Sequence, residues 1–225
     1  MLCLAAAAIA GCSTDLQPAL PRHARIETAV SGAPTDELRA VIARADILYL
    51  PADRLETDEQ NGAASRLLNL LQQSASEVRI GWANISAASQ PSFEEWNTGA
   101  SLDAFIDRIR FASATQREAT RRLLRESRER RLVSSALSCA QGLSCTADNV
   151  VREFHSLAAG KLLVVIDRRD LDPANGLPFF VSQRMQVRQV VFDAPTSSDR
   201  PALMAGGIGG TEVVDSAPRA GQDRF

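Results

Sequence analysis

The segment that most constrains the fold is an uninterrupted apolar run, Leu-Leu-Val-Val-Ile, at residues 162–166. Such a run, with no polar residue in it, is typical of a strand covered on both faces of a parallel sheet. Similar short runs predict further strands at residues 47–50, 78–82, 132–137 and 187–192. Since both faces of such a sheet are covered, helices are expected above and below it.

Helical periodicity lies between these runs. Residues 58–73 carry apolar side chains at 63, 64, 67, 68 and 71, which is the spacing of one helix face. Further helices are expected at residues 37–44, 101–111 (with Ser101 as cap), 115–131, 146–159 and 177–184. The alternation predicts an α/β fold, a mainly parallel sheet with helices on both faces and right-handed crossovers. A short strand is also expected near residues 25–30, and residues 211–214 are a candidate edge strand.

Composition excludes several classes of protein. The chain has 225 residues, of which 45% are hydrophobic and 23% charged, so it is too apolar to be fully disordered. A net charge of −2 argues against a nucleic-acid-binding surface. Outside the N-terminus no run of 18 apolar residues occurs, so the body is expected to contain no membrane-spanning helix.

The N-terminal segment resembles a bacterial lipoprotein signal. Residues 1–10 are largely apolar and end in Ile9-Ala10, which Gly11-Cys12 follow, so that small residues precede a cysteine whose thiol would accept diacylglycerol. No Lys or Arg precedes the apolar run, which places the expected start of translation upstream; the alternative is a buried N-terminal helix. The interpretation divides the chain into a signal peptide (1–11), a tether (12–35), a folded domain (36–195) and a flexible tail (196–225). Ser13 is not an Asp retention signal, which favours the outer membrane, facing the periplasm.

The cysteines agree with an envelope location. Cys3 would leave with the signal peptide and Cys12 would be lipidated, which leaves Cys139 and Cys145 as an even pair. In an oxidising compartment such a pair is expected to form a disulfide. A zinc site is not expected, because two thiols without a nearby His do not make one.

Four stretches, in order, resemble the ChaN family of haem-binding uptake lipoproteins. They are residues 46–50, residues 78–85 with Gly81, residues 89–99 with Trp96-Asn97-Thr98-Gly99, and residues 162–192 with Asn175-Gly176-Leu177-Pro178 and Arg184. The first two and the last contain the apolar strands of the family pattern, and the lipobox is also typical of it. The resemblance implies a ChaN-like α/β domain in the envelope, with haem binding and iron uptake as the associated function.

The chain departs from the family at its chemical motifs. Pro51-Ala52-Asp53-Arg54 stands where the family has GEEH, Ala83 replaces the Glu of GMEM, and residues 167–170, Asp-Arg-Arg-Asp, stand where the family has GxGH. Acid–base chemistry needs titratable groups held close together, and these replacements remove most of them. The resemblance therefore implies a degenerate site: a fold and a location, but no enzyme activity, no catalytic residues and no metal site.

Two residues are candidate haem ligands. Tyr49, the single tyrosine, offers a phenolate that suits ferric iron, and His155 offers an imidazole. The alternatives are that Tyr49 is a core residue with a satisfied hydroxyl and that His155 is a surface or core residue. If neither binds the iron, haem would be held by packing and charge alone.

Charged residues at predicted strand ends are the other candidates. Ligands of parallel sheets bind at the carboxyl ends of the strands, where this chain has Asp53 and Arg54 after one strand and Arg168, Arg169 and Asp170 after another. They would bind an anionic ligand or form a local salt-bridge cluster.

An arginine stripe on one predicted helix is a second group with two interpretations. It is either an anion site or a solvated face with internal Glu–Arg pairs. Its members are Arg117, Arg121, Arg125 and Arg128.

Three functions follow, in order of preference. The first is a lipid-anchored, non-catalytic ChaN-like protein that binds haem or another anionic planar ligand. The second is an envelope lipoprotein that binds a protein partner and has lost ligand binding. The third is a divergent hydrolase that uses Asp53 and Asp170.

Overall fold

The computed structural model describes residues 26–30, 35–56, 58–172 and 174–193. The predicted lipidation site Cys12, the signal peptide, the first part of the tether, the tail and the candidate strand at 211–214 lie outside these residues. Within them, six strands alternate with seven α-helices. The α/β fold predicted from the sequence is confirmed.

The strands are β1 (Ile26–Val30), β2 (Ile47–Pro51), β3 (Glu77–Ser86), β4 (Val133–Ser138), β5 (Gly160–Ile166) and β6 (Gln189–Asp193). The α-helices are α1 (Thr35–Arg44), α2 (Asp58–Ser74), α3 (Gln90–Asn97), α4 (Leu102–Arg108), α5 (Ala114–Glu129), α6 (Leu143–His155) and α7 (Leu177–Ser182). The six strands form one sheet in the order β1-β6-β2-β5-β3-β4, and all neighbours are parallel.

The chain winds through this sheet in two passes. From β1 to β4 it moves across the sheet in one direction, and from β4 through β5 to β6 it returns, inserting each strand between two earlier ones. Helices α1 to α5 of the first pass pack on one face, and α6 and α7 of the return pack on the other. Reversing direction while changing face keeps one handedness for every crossover, as parallel connections require.

Two hydrophobic cores result, one on each face of the sheet. Alternate residues of each strand point to opposite faces, so that Leu48 and Leu50 enter the core beneath α1 to α5, while Ile47 and Tyr49 enter the core beneath α6 and α7. In β5 every residue from 161 to 166 is buried. The prediction that this apolar run is covered on both faces is therefore confirmed.

Most predicted elements occur with small changes at their ends, and the cap at Ser101 is confirmed, since its Oγ accepts a hydrogen bond from Ala104 N at 3.1 Å. One helix is displaced and another was missed. Helix α6 spans Leu143–His155 and not residues 146–159; Thr146 does not cap its start, and its Oγ instead accepts a hydrogen bond from the backbone N of Cys139. Helix α3 was not predicted at all.

Helix α3 covers the outer edge of β4. The Asn97 side chain donates to Ser134 O at 2.8 Å and accepts from Ser134 N at 3.1 Å, while Gln90 Oε1 accepts from Ala136 N at 2.9 Å. These amides take the place of a neighbouring strand. Unpaired edges of sheets promote association with other chains, and covering them removes that tendency.

Arg128 fastens α5 to the end of α3. Its guanidinium lies 3.2 Å from the centre of the Trp96 ring and donates to Trp96 O and Ala100 O, both at 2.7 Å. Burial lowers the pKa of Arg128. Stacking and the satisfied carbonyls at the helix end both favour this packing.

Replacing Asn97 with Ala should destabilise the domain by about 1–3 kcal/mol, because the substitution leaves the amide and carbonyl of Ser134 without partners. The free energy of unfolding is measured by urea denaturation. Glu94→Ala on the same helix is the matched control, since its side chain is exposed and makes no hydrogen bond in the described part of the chain. Equal stability of the two variants would show that the edge needs no cover.

Candidate functional site

The carboxyl ends of β2 and β5 lie side by side at the edge of the sheet. The two strands are neighbours, with Pro51 paired to Ile166. After β2 the chain leaves toward the face of α2, and after β5 it leaves toward the face of α7. Adjacent strand ends whose connections leave to opposite faces form the usual ligand crevice of a parallel sheet.

Charged side chains converge at this crevice, as the sequence predicted. Arg168 Nε lies 2.8 Å from Asp53 Oδ2 across the two strand ends. Arg169 is 82% exposed and approaches Asp167 at 3.6 Å and Asp170 at 3.8 Å. We call these five residues the carboxyl-edge cluster.

Asp167, the first residue after β5, belongs to the Asp-Arg-Arg-Asp stretch that the sequence places at a strand end, although it was not among the candidate ligand-binding residues. Burial raises the pKa of its carboxyl, the Arg169 guanidinium opposes this, and Asp170 and Asp53 add to the increase. The first residue beyond a fully buried strand is held near the protein interior, and this position in the sequence was the signal that could have identified it.

Two neighbours shape the crevice. Asn84, near the end of β3, has its Oδ1 atom enclosed without a hydrogen bond in the described part of the chain. Gly176 supports the loop after β5: a Cβ atom there would lie 2.5 Å from Asp170 O and from the backbone N and O of Asp172. No side chain fits at position 176, so glycine is needed for this close approach.

Arg54 does not share the exposure of Asp53. It is buried, with 6% of its surface accessible, in a short 3₁₀ turn that packs on α2 and α5. The sequence placed both residues at the site, but the structure assigns Arg54 to the packing of this turn and Asp53 to the surface.

Tyr49 lies in the core between β2 and α7. It is fully buried, and its hydroxyl donates to Gln189 Oε1 at 2.5 Å. Gln189 in turn donates to Pro178 O at 3.1 Å. Burial raises the pKa of Tyr49, so the phenolate that iron would need is disfavoured.

His155 lies at the opposite edge of the sheet from the carboxyl-edge cluster. It is the exposed last residue of α6, which runs antiparallel to the strands and therefore ends beside their amino ends. Tyr49 and His155 thus do not converge on one cavity. Neither residue is placed to bind haem iron together with the carboxyl-edge cluster.

The arginine stripe of α5 is largely paired with neighbouring elements. Arg117 pairs with Asp107, and Arg121 pairs with Asp103 and Glu118. Arg128 is stacked on Trp96. Of the internal Glu–Arg pairs expected on this face, the described residues show one for the stripe, between Arg121 and Glu118; the other carboxylate partners, Asp103 and Asp107, belong to α4.

Cys139 and Cys145 form a disulfide, with 5.7 Å between their Cα atoms. The bridge closes the turn between β4 and α6 at the carboxyl edge of the sheet. Arg184 ties the same helix to α7, since it pairs with Asp148 Oδ1 at 2.5 Å and donates to Ser144 O at 2.9 Å. The start of α6 is thus fixed on two sides.

None of the helices in the described residues is both long enough and apolar enough to cross a bilayer. No group of three or more His, Cys, Asp or Glu side chains among these residues is arranged to hold a metal ion.

Comparison with known proteins identifies no family for this chain. No protein-family model and no curated protein matches the chain. A solved structure with some similarity is the type III effector HopBA1, with 11% sequence identity and a TM-score of 0.43 over 60% of this chain and 71% of that one. A similarity of this extent supports no conclusion about function.

Asp167 should make stability depend on pH. Its pKa in the folded state lies above the ordinary value of 3.8, so its favourable contribution is present below pH 4 and is lost as the pH rises through the raised pKa. Asp167→Asn, which stays neutral, should therefore gain stability relative to the wild type between pH 3 and pH 7. Urea denaturation at several pH values measures this difference. Asp36→Asn, at a carboxylate that is 92% exposed, is the control for removing a surface charge. A difference between Asp167→Asn and the wild type that stays constant from pH 3 to pH 7 would contradict the assignment.

Proposed function

We propose that the chain is a lipid-anchored protein of the cell envelope, facing the periplasm, with a non-catalytic ChaN-like domain that binds an anionic planar ligand at the carboxyl edge of its sheet. The observation that supports ligand binding is the convergence of Asp53 and residues 167–170 at adjoining strand ends. The lipobox-like Ile9-Ala10-Gly11-Cys12 and the disulfide support the envelope half.

The arginines of the cluster define the chemistry of binding. Arg169 is exposed, and its contacts at 3.6 and 3.8 Å are longer than direct hydrogen bonds. It can turn toward a ligand carboxylate at little loss, since exposed ion pairs contribute little to stability. A porphyrin dicarboxylate fits this mode through its propionates. Since Tyr49 and His155 lie elsewhere, binding would use charge and packing and no bond to iron.

A protein partner is the second candidate. The carboxyl-edge cluster contains three aspartates and two arginines, a mixed charge that complements another protein surface as readily as a small anion. The first candidate is preferred because a crevice between diverging connections favours a small ligand.

The hydrolase alternative is less favoured. Asp53, one of its two proposed carboxylates, is already engaged by Arg168, whose Nε donates to Asp53 Oδ2 at 2.8 Å.

Lipidation is tested by labelling cells with radioactive palmitate. The wild-type chain should incorporate label and fractionate with membranes, while Cys12→Ser should do neither, because no other thiol follows small residues in this way. Cys3→Ser is the matched control and should keep the label. Label that persists in Cys12→Ser, or that never enters the wild type, would remove the anchor from the proposal.

Ligand binding is tested with haemin and with metal-free protoporphyrin IX, using full-length protein in detergent. Both should bind with similar affinity, since the iron makes no bond to the protein. The double variant Arg168→Ala/Arg169→Ala should bind each porphyrin about tenfold more weakly, because it loses charge-assisted hydrogen bonds to the ligand. Absorbance and fluorescence titrations measure the affinities.

Two variants provide controls for this titration. Arg110→Ala removes an exposed arginine outside the cluster, and His155→Ala removes the imidazole at the opposite edge; neither should change binding. A response to haemin alone that disappears in His155→Ala would indicate iron ligation and contradict binding by charge. No response to either porphyrin would leave the protein partner as the better proposal.

A further inference from the structure

A cavity lies at the amino edge of the sheet, where β3 and β4 begin, on the opposite side from the carboxyl-edge cluster. Its volume is about 220 Å³. Lining residues include Gln72, Glu77, Arg79, Arg130, Arg131 and Val133. We call it the amino-edge cavity. Nothing in the proposed function involves it.

Arg131 has an unusual backbone. Its φ is +58°, in the left-handed region, where among the described residues the other positive values belong to Gly99 and Gly142. It follows α5, with Arg131 N bonded to Arg128 O and Leu132 N bonded to Ser127 O. This is the helix-ending motif in which glycine is the usual residue, because a side chain is strained there. An arginine at this point suggests that its side chain has a use.

The other two arginines of the cavity are already neutralised. Arg79 bonds Glu77 at 3.0 Å and Glu153 at 3.3 Å. Arg130 bonds Glu126 Oε1 at 2.6 Å and Gln72 Oε1 at 3.2 Å. Their guanidinium groups therefore add little uncompensated charge to the cavity, although both residues form part of its lining.

Arg131 supplies the remaining positive charge. It is exposed, and its guanidinium makes no hydrogen bond or ion pair within the described part of the chain. The cavity thus contains one arginine that is free to bind an anion from solution, next to two that are held in place.

Val133 adds an apolar element to the same cavity. It is the exposed large hydrophobic residue of the described chain, with 44% of its surface accessible. It lies two residues from Arg131 and lines the cavity beside it. A ligand that met both residues would carry an apolar part next to its negative charge.

We propose that the amino-edge cavity binds a small organic oxyanion, a carboxylate or a phosphate monoester with a short apolar chain. Arg131 binds the oxyanion and Val133 contacts the apolar part. The volume of about 220 Å³ restricts the ligand to a small molecule or the end of a larger one.

The test uses butyl phosphate, butanoate and inorganic phosphate as probes in calorimetric titrations of the full-length protein in detergent. At least one of the two butyl probes should bind the wild type, and more tightly than inorganic phosphate does. The better of the two identifies the head group. Arg131→Asn removes the charge and keeps a residue that tolerates the left-handed region, so it should fold normally and bind at least about tenfold more weakly.

Two controls separate binding from folding. Arg110→Asn makes the same change of charge beyond the other end of α5 and should leave binding unchanged. Val133→Thr keeps the β-branched shape. It should lower the ratio of the affinity for butyl phosphate to that for inorganic phosphate several-fold. Thermal melting should place Arg131→Asn at or above the wild type.

The proposal is overturned if neither butyl probe binds the wild type, or if both bind Arg131→Asn as tightly. Equal weakening by Arg110→Asn would equally overturn it, because the effect would then come from overall charge. These outcomes do not depend on the porphyrin titrations, which examine the opposite edge of the sheet.

Discussion

The insertion of β5 between β2 and β3 is the contact on which the described fold depends. It completes the backbone hydrogen bonding of β2 and β3. It also places residues 161–166 in the centre of the sheet, where they are covered on both faces. Because β5 belongs to the return pass, its insertion also sends the chain to the other face of the sheet. The same step that fills the centre of the sheet therefore opens the crevice at its carboxyl edge, where Asp53 and Arg168 meet. Stability and the candidate site arise from one topological feature.

The strands could be predicted from the sequence because each is a short apolar run, but their order could not, because it depends on contacts between segments far apart in the chain. Helix α3 was missed for a local reason. Its eight residues contain Phe93 and Trp96 as the large apolar side chains, with a proline at the second position and two glutamates between. What makes it a helix is tertiary: Phe93 packs edge-on against Phe105 at 4.7 Å, and Asn97 pairs with the edge of β4.

The residues of the candidate site likewise fall into those whose position the sequence predicted and those whose position it did not. The meeting of Asp53 with residues 167–170 followed from parallel strand geometry, which brings all carboxyl ends to one edge. The same geometry could have separated His155 from these residues, since a helix between parallel strands ends at the amino edge, but the sequence interpretation did not place it. For Tyr49 the sequence left two interpretations, because in a strand buried on both faces the apolar pattern does not say which side chain approaches a ligand. The hydrogen bond to Gln189 resolves its environment as the core.

The chain has 24 arginines and one lysine, and its 27 acidic residues give it a net charge of −2. Many of the arginines act as cross-links between elements. Arg184 contacts Asp148, Ser144 and Phe180, and Arg128 joins a ring and two carbonyls. The planar guanidinium can make several directed bonds at once, which a lysine ammonium does less well. Arg131 differs from these cross-links in two respects: its guanidinium has no partner within the described residues, and its backbone lies in the left-handed region. An oxyanion bound in the amino-edge cavity would give this side chain the partner that the described fold does not provide.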